Sequence, residues 1–183
     1  MGSLGLSFVR LSQGFLLILL LCSGAMASGP PSEVAVQAAF LPKFAAYVGW
    51  PSAVHPSADA PFYLCVVGDD PFGRMLDDAT RGQQVDQHPI MVRRLGGADP
   101  IAGCHLAFVR GKDGKSTTAL LNGLKERPVL TITDGRAGSQ RGVIHFVVQE
   151  GRVRFHIDEA AAARRGLKIN SRLLGIALSV KRN

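Results

Sequence analysis

The chain has 183 residues, 46% of them hydrophobic and 19% charged, with a formal net charge of +7. That length suits one globular domain with a substantial core. The basic excess is spread thinly, with no run of like charge beyond a few residues, so it leaves no footprint for nucleic acid.

Residues 1–27 read as a leader. They carry a single charged side chain, Arg10, then an apolar block over 15–21 and the small-x-small triplet Ala25-Met26-Ala27. The block is too short to span a bilayer, so the expectation is a secretory signal cleaved near Ala27 and export to the periplasm. Cys22 invites a lipoprotein reading, but Leu21 precedes it where lipobox cleavage needs a small side chain. The remaining residues, 28–183, read as one domain with 20 basic against 14 acidic side chains, a net +6. They keep two cysteines, Cys65 and Cys104. An even pair in an oxidising compartment points to a disulfide, with two separate buried thiols as the alternative.

Ser32-Glu33 can start a helix running toward Trp50, in which Val36, Ala39, Phe40, Lys43, Phe44, Tyr47 and Val48 recur at near-helical spacing and make one face strongly apolar. Pro42 removes a hydrogen bond inside it and is expected to kink or divide it, and Trp50-Pro51 to end it. Residues 52–61 form a surface loop. Residues 62–67, FYLCVV, are nearly all apolar, the pattern of a strand covered on both faces. Gly68-Asp69 break the run, Asp70 suits a helix cap and Pro71 a first turn, so a short helix is expected over 72–79. Strands follow at 89–95, 105–109 and 129–133, with a helix over 115–126 before the last of these. Strand alternating with helix implies a largely parallel sheet with right-handed crossovers. A Cys65–Cys104 bond requires Cα atoms within about 7 Å, which places the first and third strands side by side in a 2-1-3-4 order.

Residues 142–158 read as a hairpin about Glu150-Gly151. That register sets Ile144 against Ile157, Phe146 against Phe155 and Val148 against Val153 on one buried side. Its other side pairs His145 with His156, Val147 with Arg154, and Gln149 with Arg152. A helix begins at Asp158-Glu159 and runs through Ala163, Gly166 follows, and Asn170 or Ser171 caps a last helix containing Leu173, Leu174, Ile176, Ala177 and Val180. The expected fold is a single three-layer α/β domain: a mostly parallel sheet, extended by the antiparallel hairpin, with helices on both faces.

Several constellations bear on chemistry. The loop 111–117, GKDGKST, imitates a phosphate-binding loop, but the glycine needed five positions before Gly114 is Val109; a basic loop with Ser116 capping the next helix fits better. His145 and His156 face each other closely enough to share a divalent metal, yet two ligands fall short of the four of a structural zinc site, and a polar face with Arg152 and Arg154, or a basic recognition surface, is the plainer reading. Asp69, Asp70 and Asp134 fall at the carboxyl ends of strands, where open α/β sheets bind ligands, although aspartates there often serve turns and caps. The turn Lys168-Ile169-Asn170-Ser171-Arg172 offers backbone N–H groups and two cations to an anion. There is no G-x-S-x-G elbow and no HExxH. Nothing assembles a nucleophile with a base, so no enzyme and no cofactor are expected.

Laid end to end, AAFLPKFAAYVGWP (38–51), LCVVGDDPFG (64–73), CHLAFV (104–109), VLTITD (129–134) and GVIHFVVQEGRVRFHIDEAAAARRGLKINSRLLGIA (142–177) resemble the YfiR-like family of exported bacterial regulators. The chain departs from the family pattern at Pro42, Gly49 and Gln140-Arg141, and lacks an aromatic in the 134–142 loop. The resemblance implies a non-enzymatic periplasmic repressor. It would bind the periplasmic sensory part of an inner-membrane diguanylate cyclase, hold down cyclic-di-GMP synthesis and so regulate biofilm formation. An outer-membrane lipoprotein would sequester it, and family members tend to form homodimers and to be tuned by disulfides, Cys65 and Cys104 matching the family's positions. A competing reading is a small periplasmic module binding an anionic or aromatic metabolite. The repressor should expose an apolar patch with a basic rim, the module a closed pocket.

Overall fold

The computed structural model describes Gly2 and residues 30–54, 57, 59–96 and 103–182. Apart from Gly2, the expected leader, its cleavage site and Cys22 lie outside the described residues. Ser32 caps α1 (Glu33–Ala46), its Oγ accepting the Ala35 N–H at 3.2 Å. The helix continues through Pro42 undivided, because Leu41, Phe44 and Ala45 around it are packed into the core. It stops at Ala46 rather than Trp50. Val48 and Gly49 instead form β1 (Val48–Gly49), which pairs antiparallel with residues 168–169 and so satisfies its backbone outside the helix.

After β2 (Phe62–Gly68), Asp70 does not cap the next helix. Its Oδ1 accepts the Phe72 and Gly73 N–H groups at 2.8 and 3.2 Å, a local turn, and α2 (Arg74–Thr80) starts from Gly73 at φ +49°. β3 (Gln84–Val85) and β4 (His88–Leu95) form a small antiparallel edge, and β5 (Leu106–Arg110) follows. Asp113 caps α3 (Gly114–Gly123), not Ser116. Ser116 sits at the third helical position of a capping box, and its Oγ accepts the Asp113 N–H at 3.0 Å.

β6 (Leu130–Asp134) leads to the hairpin β7 (Ile144–Gln149) and β8 (Arg152–Asp158), whose six cross-strand pairs fall in the expected register. α4 (Glu159–Arg164), β9 (Lys168–Ile169) and α5 (Ser171–Ile176) close the chain on α1's side of the sheet, and Asn170 Oδ1 caps α5 through the Arg172 N–H at 2.9 Å. The last helix does not reach Val180. Ala177 turns extended, and β10 (Ser179–Lys181) pairs parallel with β8, which offers it a free edge.

The main sheet has eight strands in the order β10-β8-β7-β6-β5-β2-β4-β3, so the four strands read from sequence stand in the expected 2-1-3-4 order. The Cys65–Cys104 disulfide is present, with Cα atoms 5.9 Å apart. One face carries Leu64, Phe108, Ile132, Phe146 and Phe155 under α1 and α2, where the Phe44 ring lies 5.0 Å from that of Phe155 and 5.5 Å from that of Phe146. The reverse face buries Cys65, Val67, Ala107 and Val109 beneath Leu120, Leu121 and Leu124, at and just beyond α3. Val148 escapes both. It is exposed because β6 accompanies β7 only as far as Phe146, so the hairpin tip projects beyond its neighbour.

Candidate functional site

Three places gather the chemistry-bearing side chains. At the carboxyl ends of β2, β4, β5 and β6, each buried or half-buried carboxylate is committed within the fold. Asp70 Oδ2 accepts Arg94 Nε at 2.7 Å, and the same guanidinium spans both Asp77 oxygens at 3.0 Å. Burial opposes ionisation of Asp70, but Arg94 and the Phe72 and Gly73 amides outweigh it and hold the carboxyl below its usual value. Asp134 is buried, accepts the Arg136 N–H, and lies 3.6 Å from Arg110. Asp69 is exposed, its N–H donating to the Arg110 carbonyl at 2.7 Å. The three aspartates therefore brace strand ends rather than converge on one crevice.

A second place lies between α1 and α5. Phe40, Phe44, Tyr47, Leu173 and Ile176 line a cleft of about 350 Å³, and Lys43 and Arg172 stand at its margin. Tyr47 is 39% and Ile176 59% exposed, unusual for side chains of that size on a compact domain. The Asn170 turn positions it: Asn170 donates its N–H to the Tyr47 carbonyl at 3.0 Å, tying α5 to the end of α1, and Lys168 pairs with Gly49 in the two-stranded β1–β9 ladder. Of the expected anion turn, Arg172 joins this cleft, Asn170 serves as cap and tie, and Lys168 is exposed on the ladder.

The third place is the hairpin's reverse face. α3 covers the sheet only as far as β6, and a cleft of about 510 Å³ opens over β7, β8 and β10. His145 and His156 form its floor, while Lys125, Arg141, Arg164 and Lys181 line its sides. His145 is buried, and its Nδ1 lies 2.9 Å from Thr133 Oγ1, which already accepts the Gly142 N–H. With the hydroxyl donating to Nδ1, His145 is the neutral tautomer whose remaining donor is Nε2–H. Burial, then the charges of Arg141 and His156, push its pKa down to about 4. Burial and Arg141 also lower His156, whose Nδ1 lies 2.6 Å from Ser179 Oγ.

The paired histidines thus have other partners, and no cluster of three or more metal-ligating groups occurs among the described residues. Arg152 and Arg154 are exposed farther along β8. Gly142 makes this corner possible, since a Cβ there would lie 2.5 Å from the Thr131 carbonyl oxygen. The polar alternation of the hairpin is visible in the sequence, but the contributions of Arg141, Arg164 and Arg165, and of Lys181 on β10, are not. Their only signal was the position of Arg141 beside Gly142 and of the Arg164-Arg165 pair before Gly166.

His105 likewise has a role not visible in the sequence. It is buried, accepts the Tyr63 N–H at Nδ1 (3.0 Å) and donates from Nε2 to the Val54 carbonyl (3.0 Å), so it staples the loop after Trp50 to the sheet.

No curated protein matches the chain. The model of the YfiR/HmsC-like family does, over residues 34–178. That span runs from the first turn of α1 to the approach to β10 and so contains the disulfide, the α1–α5 cleft and the hairpin. The chain therefore belongs to the YfiR/HmsC-like family, whose members are periplasmic regulators of diguanylate cyclase signalling rather than enzymes.

Proposed function

We propose that the protein is a periplasmic repressor that binds the periplasmic sensory part of an inner-membrane diguanylate cyclase and holds down cyclic-di-GMP synthesis, using the α1–α5 cleft as its contact. The observation that carries this reading is the exposed apolar surface of Tyr47 and Ile176 beside Lys43 and Arg172, the apolar patch with a basic rim that a partner-binding repressor needs. Ion pairing of the strand-end aspartates favours it over a metabolite crevice there. In this reading an outer-membrane lipoprotein relieves repression by competing for the protein, and a second copy of the chain can occupy the same surface. The Cys65–Cys104 disulfide tunes the contact indirectly. Both cysteines are buried under α3, so reduction loosens the sheet that α1 packs against rather than altering the contact itself.

The test is co-purification of membrane partners with the chain from residue 28 onward, under oxidising and reducing conditions. Recovery of a diguanylate cyclase that is lost with Ile176→Glu, a side chain 59% exposed whose replacement leaves folding intact, is the expected result. Absence of any cyclase under both conditions, with a metabolite carried through purification, would overturn it.

A further inference from the structure

The cleft on the reverse face plays no part in the cyclase-binding reading, and its chemistry is of another kind. Basic side chains reach it from four separate segments: Lys125 just beyond α3, Arg141 ahead of β7, Arg164 and Arg165 at the end of α4, and Lys181 on β10. Among the described residues that line the cleft one carboxylate, Asp158, stands against them, with Glu126 close enough to act on Arg165, and Asp158 is already engaged. Its Oδ1 accepts the Ala161 N–H at 2.7 Å and its Oδ2 lies 3.2 Å from Lys181. Among the described residues no ion pair involves Lys125, Arg141, Arg164 or Arg165.

Such a gathering of like charge is unfavourable unless something answers it. Arg165 shows the imbalance most plainly. Its guanidinium donates once to the Ala161 carbonyl at 2.9 Å, while its buried Nε–H meets no acceptor among the described residues. Burial and Arg164 weaken its hold on its proton, opposed only by Asp158 and Glu126.

We infer that this cleft binds a phosphate-bearing anion, held by Arg141, Arg165 and Lys125 with His145 and His156 as further donors. The volume of about 510 Å³ is that of a small-molecule site rather than a flat interface. Guanidinium forks match phosphate oxygens in pairs, and a phosphate monoester brings close to two negative charges to a pocket whose lining carboxylate, Asp158, is already paired. A soluble phosphate ester and a phospholipid headgroup share this chemistry.

The experiment titrates pyrophosphate into the purified protein by calorimetry and follows the imidazole resonances by NMR. Saturable binding at one site is expected, weakened roughly tenfold or more by Arg141→Glu or Lys125→Glu, the size of one charge-assisted contact. Both side chains are exposed, so neither change should unfold the protein. Arg81→Glu, on the far side of the fold with its own Asp78 partner, should leave binding as it is. A bound anion also offsets Arg141 and His156, so the His145 titration should move up from about 4. Sedimentation with phosphatidylglycerol vesicles, against phosphatidylcholine vesicles, separates the sources: capture by the former with the same dependence on Arg141 assigns the phosphate to a lipid headgroup. Failure of both pyrophosphate and phosphatidylglycerol to bind, or an equal loss in Arg81→Glu, would overturn the inference.

Discussion

On the α1 side of the sheet, successive strands present Leu64, Phe108, Ile132, Phe146 and Phe155, all of them buried. On the reverse side the same strands present Cys65, Ala107, Thr133, His145 and His156, and polarity rises strand by strand toward the hairpin. The two faces arise from one alternation of side chains, yet they answer to different physics. The first is an aromatic core whose worth is set by packing. The second begins as a small core clamped by a disulfide, passes through threonines that accept the backbone N–H groups of Gly142 and Val143, and ends as an open basic cleft. A change on the first face should therefore register as lost stability, and a change at the far end of the second as altered binding or titration.

The strongest way to break that contrast is Phe44→Ala. The ring is 1% exposed and contacts Phe40, Phe146 and Phe155 at centroid distances of 5.5, 5.5 and 5.0 Å. A loss of about 3–5 kcal/mol is expected from denaturant unfolding. A loss near zero would mean that α1 does not hold the sheet.

Cys104→Ser tests the reverse face. The bond closes a separation of 39 residues, which in the chain-entropy picture is worth about 4 kcal/mol, and native disulfides commonly deliver about 2–4. The variant and the reduced protein should unfold at similar, lower denaturant concentrations. If the oxidised protein and the variant coincide instead, β2 and β5 are held by pairing alone.

Much of this contrast was legible in the residues. The period-two pattern of 142–158 gave the hairpin register pair by pair, because Glu150-Gly151 fixes a two-residue turn, and the continuous apolar run at 62–67 announced a strand buried on both faces. The limits were those of tertiary context. Val48-Gly49 and Ser179-Val180-Lys181 are strands only because another segment presents an unpaired edge, a condition that no local pattern contains. Residue type points to Asp70 and Ser116 as caps, but the carboxylate of Asp113 outcompetes the Ser116 hydroxyl, and Arg94 draws Asp70 into an ion pair from 24 residues away. The basic cleft was hidden for the same reason. Its cations are scattered between residues 125 and 181, and only the short reach of α3 brings them to one opening.

The finest comparison is between the histidine and the carboxylates as sources of acid sensitivity. His145 takes up a proton at about 4 in the folded protein but at about 6.5 in the unfolded chain. Between those values the unfolded chain binds the extra proton, so acid favours unfolding. The stability contributed by neutral His145 is fully present above about pH 6.5 and declines toward pH 4, by at most about 1.4 kcal/mol per unit. Asp70, held below its usual value by Arg94 and its backbone donors, makes its own contribution, which is lost only as pH falls further, through the carboxylate range. Unfolding free energies measured between pH 7 and 4 should slope downward in the native protein and less so in His145→Gln, which keeps an amide for the Thr133 hydroxyl. A slope unchanged by that substitution would assign the acid sensitivity to other groups, His156 with its own lowered pKa first among them, and remove His145 from the polar end of the sheet as a titrating group.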